Sequence, residues 1–256
     1  MAMPTLSRFG ERLRAWRKRR GLSQLDLALI AGTTSRYVSF VETGRSRPGR
    51  GVVLRLADAM SLSLRDSNAL LVAAGLSPAY TEQPLDDAQM APVRRVVDAV
   101  LRNHEPYPAW AIGPALKFLG SNAAAERIFP GMTQMSPEAL VDMWCSPAMG
   151  EGWQESARQT VAALRTELLQ RPHPDLPALL SRAEDHAKGL GPAPDSLDTR
   201  AMCSTMQIQG RAIRTLSTVM HFDHPSDVTM AEIRVELIFP ADADAEAFFV
   251  ELAQEA

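Results

Sequence analysis

The stretch SQLDLALIAGTTSRYVSFVETGRSRP, residues 23–48, decides the fold of the N-terminal third. Ser23 followed by Asp26 has the pattern of a capping box, in which the hydroxyl satisfies a free helix amide and the carboxylate accepts from the cap's own N–H. The helix it opens is apolar as far as Gly32, a residue that enters the left-handed region without steric cost and so ends helices. Thr34 is placed to cap the next helix, over residues 35–43. At a period of 3.6, Val38 and Val41 face inward and Ser35, Arg36, Ser39 and Phe40 outward, and Gly44 closes the segment. Leu25 and Leu29, four residues apart with Ile30 beside them, either form an exposed apolar strip or are buried by a shift in helix phase. An exposed strip would dock on a second domain or on a dimer mate.

Working outward, residues 6–20 place Phe9, Leu13 and Trp16 at helical spacing and end at Gly21. Residues 52–60 and 64–74 read as two more helices, with Leu54, Leu56, Ala57, Leu70 and Leu71 as core. Five short helices therefore fill this region, and the two around Gly32 form a helix-turn-helix. Charge agrees with that reading. Residues 1–80 hold 13 Lys and Arg against 5 Asp and Glu, whereas the remainder holds 14 against 25, hidden in a net charge of -3. Only the first part suits a polyanion; the acidic remainder must do something else.

The motif is similar to the XRE-type family of bacterial and phage repressors, through its Ser-Gln opening, central Gly, Glu-x-Gly ending and basic segment before proline. That resemblance, over residues 9–75, implies a lambda-repressor-like bundle whose third helix enters the major groove, with Ser35, Arg36 and Phe40 at base-reading positions. Residue chemistry points the same way. Arginine places two donors on guanine O6 and N7, serine bonds a base edge, and phenylalanine covers a thymine methyl. Thr34 and Ser39 belong to the same face. Gln24, Arg45 and Arg47 are placed to hold phosphates, which sets register and salt dependence rather than sequence choice. The partner expected is double-stranded operator DNA, bound by a homodimer with half-sites about one helical turn apart.

Beyond residue 76 the texture changes. SPAYTEQPLDDAQ is polar and proline-bearing, a connection, and residues 90–103 read as a helix with Val93, Val96, Val97, Val100 and Leu101 on one side. This helix is expected to join the domains and to contribute to the dimer contact. The organisation is then a DNA-binding domain over residues 1–78, a linker and connecting helix over 79–104, and a further domain over 105–256.

Two apolar runs, 109–112 and 116–119, flank a Gly-Pro pair and lead into a helix capped at Asn122; helices over 136–143, 152–170 and 176–187 follow. Three strands return, over 202–208, 211–222 and TMAEIRVELIF (229–239). In the last, Ala231, Ile233, Val235, Leu237 and Phe239 take one face, expected to rest on a core, and Glu232, Arg234 and Glu236 the other. Two strands, a block of helices and three strands make an antiparallel five-stranded sheet covered on one face, the plan of a PAS-like sensor. The fold class is α+β. HEPYPAW, RYVSFVETGRSRP, VLRLADAM and NALLVAAGLSPAY together resemble the MmyB-like group of XRE regulators. The resemblance implies a dimeric transcription regulator whose second domain holds a small apolar molecule, with a fatty acid as the leading candidate.

Met143, Trp144, Trp153, Met202, Met206, Leu216 and Met220 are expected between sheet and helices, where methionine suits an adaptable apolar pocket. Large apolar residues at this spacing are equally an ordinary core. Arg200, Arg211 or Arg214 would be placed to hold a carboxylate, or would simply lie on an exposed sheet face. Cys145 and Cys203 have no CxxC or Cys/His spacing and read as buried thiols. None of the five histidines makes a helical ligand pair, and HFDH runs into a proline-bearing turn, so no metal is expected. Neither GxSxG nor a phosphate-cradling glycine loop occurs, which leaves catalysis and cofactors without support. With 46% apolar residues, no membrane-length apolar run and an N-terminus that turns basic where an export signal turns apolar, the expected location is the cytoplasm.

Overall fold

The computed structural model describes residues 5–147, 153–170, 173–191, 204–223 and 225–254. The chain divides into two compact units. The first runs to Gln83 and also takes in Pro225–Ala231; the second begins at Pro84 and holds the remainder.

The first unit is built from α1 (Thr5–Arg19), α2 (Gln24–Ile30), α3 (Ser35–Glu42), α4 (Arg50–Ala59) and α5 (Leu64–Ala73). Helices this short are marginal alone, so caps and packing must hold them. Both bonds of the Ser23–Asp26 capping box are present at α2. Thr34 accepts from Tyr37 N–H at α3, and Ser63 from Asp66 N–H at α5. Phe9, Leu13, Leu27, Val38, Val41, Leu56, Leu70 and Leu71 form one buried cluster; burying each of the larger side chains stabilises by about 1.5–3 kcal/mol. Leu54 lies at the edge of this cluster, and Val53 takes the central place beside Leu56.

α1 and α3 approach so closely that only glycine fits at the crossing. A Cβ on Gly10 would stand 2.3 Å from the Glu42 carbonyl oxygen, well inside van der Waals contact. The buried face of α2 is Leu27 and Ala28, which leaves Leu25 at 57%, Leu29 at 70% and Ile30 at 59% exposure. The apolar strip is therefore real, and no shift in helix phase removes it.

After α5 the chain stays fastened to this unit. Asn68 accepts from Ala79 and Tyr80 N–H and donates to the Tyr80 carbonyl. Thr81 then pairs in parallel with Asp227, and Val228 N–H donates to the Thr81 carbonyl at 2.8 Å.

The second unit opens with α6 (Ala91–Asn103), so the helix read as a linker belongs to this body. It continues through β1 (Ala109–Ile112), β2 (Phe118–Ser121), α7 (Ala123–Ile128), α8 (Pro137–Trp144), α9 (Trp153–Gln170) and α10 (Leu176–His186). β3 (Ser204–Ile208), β4 (Arg211–His221), the short α11 (Val228–Glu232), β5 (Arg234–Pro240) and α12 (Ala243–Gln254) complete the chain. The five strands pair antiparallel in the order β2-β1-β5-β4-β3, the α+β arrangement that the order of elements predicts.

Two expectations about strands need correction. The second apolar run starts at Phe118, because Pro114–Leu116 forms a 3-10 turn in which Ala115 and Leu116 adopt positive φ. The stretch 229–239 is not one strand: Val228–Glu232 is helical and β5 begins only at Arg234. Alternation misled here because residues 229–232 alternate in polarity yet form a helical turn, which Asp227 opens by accepting from Thr229 and Met230 N–H. Val235 is buried on one face and Ile238 on the other.

Strand register sorts the side chains. β5 residues Arg234 and Glu236 stand opposite Ile112 and Trp110 of β1, and opposite His221 and Val219 of β4. Val235 stands opposite Ala111 and Met220, with Leu237 opposite Ala109 and Thr218. α8, α9 and α10 pack as a block around Val141, Cys145, Ala157, Leu164, Leu176, Leu179 and Ala183. Asp142 of α8 accepts from Arg182 and bonds His186, both on α10. These donors hold the Asp142 carboxyl down at about 2.

Candidate DNA-reading face and ligand cavity

On α3, Val38 and Val41 are buried, while Arg36 is exposed and Ser35, Ser39 and Phe40 are half-buried. The Arg36 guanidinium lies over the Phe40 ring, 5.2 Å from its centroid, the contact that a spacing of four residues on a helix allows. Stacking of this kind limits the wandering of a long side chain while leaving its donors open. Arg45 and Arg47 are exposed just past the helix end, where Arg45 N–H closes on the Phe40 carbonyl. The Thr34 hydroxyl oxygen accepts in the cap of α3.

A buried ion pair fixes the frame under this face. Arg17 of α1 donates from Nε and Nη2 to the two carboxylate oxygens of Glu42, at 2.6 and 3.0 Å, and from Nη1 to the Leu22 carbonyl. Its side chain is 10% exposed and that of Glu42 is 3% exposed, so the pair is desolvated. The Glu42 bond raises the Arg17 pKa further above its ordinary value, against the opposing effect of burial. Gln24, the first residue of α2, donates from Nε2 to Glu42 Oε2 at 2.7 Å. Three helices therefore meet at one carboxylate. An amide nitrogen carries two N–H donors, of which this bond uses one. Sequence reading missed both this network and Gly10, because 25 residues separate Arg17 from Glu42 and nothing local marks either as paired.

In the second unit a cavity of about 810 Å³ opens between the sheet and the α8–α9 helices. Trp110, Phe129, Trp144 and Trp153 supply its aromatic wall, with Leu116, Met132, Leu164 and Met206 as aliphatic lining. Trp110 meets Phe129 edge to face at 6.4 Å. Of the residues expected here, Trp144, Trp153 and Met206 line the cavity. Met143 packs instead into the neighbouring cluster of Trp110, Phe118 and Leu140. Leu216 and Met220 stand opposite Phe239 and Val235, on the other face of β4 from the cavity-lining Val219 and His221. The strand's period of two explains that correction. Met202 and Arg200 lie outside the described residues, as does Cys203, and Cys145 is buried within the helical block.

The arginine at the cavity is also a different one. Arg211 lies over Phe248 and near Glu251, and Arg214 near Asp242. Arg234 lines the cavity and is held by Glu167, with both side chains less than one-fifth exposed. Glu236 accepts from Trp110 Nε1 at 2.9 Å and from the Ser217 hydroxyl at 2.7 Å. The charged residues Arg234 and Glu236 of β5 therefore stand half-buried on the wall of an open pocket.

A family model described as the MmyB-like transcription regulator ligand binding domain matches residues 93–252. The chain belongs to the MmyB-like transcription regulators. A helix-turn-helix domain model matches residues 8–71, covering α1 to α5. Comparison with curated proteins gives no significant match. This MmyB-like regulator thus joins a DNA-binding domain to a regulator's ligand-binding domain, and neither matched family is a family of enzymes. No group of metal-ligating side chains occurs among the described residues, and no described helix is long and apolar enough to cross a membrane.

Proposed function

We propose that this MmyB-like regulator is a cytoplasmic homodimer that binds a specific operator through α3 and changes its DNA affinity when a small, largely apolar effector fills the cavity of the second unit. In this reading Arg36 and Ser35 read base edges and Phe40 covers a methyl group. Ser39 completes the face, and Thr34, Gln24, Arg45 and Arg47 engage phosphates. The observation that carries it is the stacked Arg36–Phe40 pair on the open side of a helix anchored by the buried Arg17–Glu42 pair. A base reader must be held still, and the contact of Arg36 with Phe40 supports that role.

The pairing is proposed because a single short helix covers too few base pairs to be selective. The outer side of α6, where Val96 is 45% exposed beside Val100, supports a mate-facing role for that helix. The rival reading, a second domain serving only for dimerisation or for a protein partner, expects a filled core. About 810 Å³ of space lined by three tryptophans favours an effector instead.

A fatty acid, the effector that the resemblance implies, matches the aromatic and aliphatic wall; its carboxylate would have to compete with Glu167 for Arg234. Native mass spectrometry of gently purified protein, paired with operator titration before and after stripping, tests the reading. An apolar passenger whose removal shifts operator affinity supports it. An empty protein whose affinity no apolar compound changes contradicts it.

A further inference from the structure

The walls of the cavity carry a charge balance that bears on the head group of the effector. Three carboxylates, Glu155, Glu167 and Glu236, line it against one arginine, Arg234, and one histidine, His221, and no lysine does so among the described residues. Two of the three carboxylates already have cations: Glu155 pairs with Arg158 at 3.3 Å and Glu167 holds Arg234. Glu236 differs. Both of its oxygens accept from neutral donors, Trp110 Nε1 and the Ser217 hydroxyl, and no ion pair joins it to a base among the described residues. Those two bonds fix the carboxylate beside the Trp110 ring, on a wall continued by Phe129, Trp144 and Trp153. A fixed carboxylate beside aromatic side chains is chemistry that recognises an organic ammonium, because a ring face turned to the cation and the counter-charge attract it together. Among the described residues, an anionic head group would meet Glu236 with the wall's arginine, Arg234, already held by Glu167.

We propose that the cavity takes an organic cation, a protonated or quaternary amine on an apolar or aromatic body, with Glu236 as its counter-charge and the tryptophans as its wall. The assignment rests on the cavity being the effector site and deepens that reading. Glu167 acts as the gatekeeper: by occupying Arg234 it withholds the one guanidinium that lines the wall among the described residues.

The test is a set of tryptophan-fluorescence titrations of the full-length protein below micelle concentrations, with dodecyltrimethylammonium, dodecanol and dodecanoate. Three of the four tryptophans line the cavity, so binding is read where it happens. The ammonium is expected to bind on the order of tenfold more tightly than the carboxylate, with the alcohol between. Glu236→Gln, with circular dichroism confirming its fold, should erase the ammonium preference and leave dodecanol binding within about twofold, since an amide keeps the shape and loses the charge. Glu167→Gln should instead raise dodecanoate affinity by freeing Arg234. Dodecanoate binding as tightly as the ammonium, with Glu236→Gln silent, overturns the cation assignment while leaving the cavity an effector site. No response to any of the three overturns both.

Discussion

Asp227 accepts the backbone N–H of Gln83 at 3.0 Å, across 144 residues of sequence. Its second carboxylate oxygen accepts from Thr229 and Met230 N–H, and the residue is 6% exposed. The segment so fastened, Pro225–Ala231, belongs to the first unit, yet it is the connection between β4 and β5. The strand ends on either side of it, His221 and Arg234, both line the cavity and stand opposite each other in register. The chain therefore leaves the cavity wall, is anchored in the DNA-binding unit, and returns to the wall. Under the function proposed above, a ligand changes DNA affinity only through a difference in its affinity for two arrangements, and this covalent connection is the route the proposal assigns to it.

Asp227→Ala should uncouple the two events. Operator affinity without effector and effector affinity without DNA are each expected to stay within about threefold, while the ratio linking them, ordinarily about 5- to 150-fold, falls toward one. Operator titrations with and without saturating effector give that ratio. An undiminished ratio in the variant contradicts the route.

Glu42→Ala strands the Arg17 guanidinium in a site that excludes water, at a cost of about 3–5 kcal/mol to the first unit. Replacing both partners, Arg17→Met with Glu42→Leu, should recover most of that loss, because two apolar side chains need no compensation. Urea unfolding followed through Trp16, which packs beside this core, measures it. The double variant should regain stability without regaining full operator affinity, since Gln24 loses its acceptor as well.

Asp142 makes the helical block sensitive to acid. Its folded pKa of about 2 lies below the ordinary 3.8, first because Arg182 donates to it and then because His186 does. A depressed folded pKa means that the stabilisation is fully present above the unfolded pKa and is lost as pH falls from about 4 toward 2. The side chain is 37% exposed, so solvent screening keeps the contribution under about 1 kcal/mol. Asp142→Asn should lower the unfolding midpoint of the second unit slightly at neutral pH and not at all near pH 2, by calorimetry.

Leu25→Gln with Leu29→Gln should leave thermal stability nearly unchanged, within about 0.5 kcal/mol, because both side chains are more than half exposed. A drop in dimer content by sedimentation, or a weaker effector response, would assign the strip to an assembly contact. Unchanged assembly and unchanged regulation would exclude that role.

The helix-turn-helix was legible in sequence because its determinants are local: Ser23 and Thr34 as caps, Gly32 and Gly44 at positive φ, Val38 and Val41 one turn apart. The sheet was legible in its order of elements and not in its faces. Arg234 and Glu236 look like a solvent side until the helices that cover them are placed, and the same blindness put Leu216 and Met220 in the cavity in place of Val219 and His221. Gly10, the Arg17–Glu42 pair and the Asp227 anchor act between residues distant in sequence, where no periodicity signals them.

Arg36→Ala separates base reading from simple charge. Loss of a bidentate guanine contact costs about 1–3 kcal/mol on the specific site, while non-specific binding, set by phosphate contacts, should fall far less. Equal losses on both would remove Arg36 from base reading.

The most direct measurement is selection of duplexes from a random pool by the full-length protein, followed by anisotropy titration at physiological salt. The account predicts a two-fold symmetric site, half-sites about one helical turn apart, bound at least about 1,000-fold more tightly than a scrambled duplex. A pool that yields no shared sequence, with selected and scrambled duplexes bound alike, would contradict it.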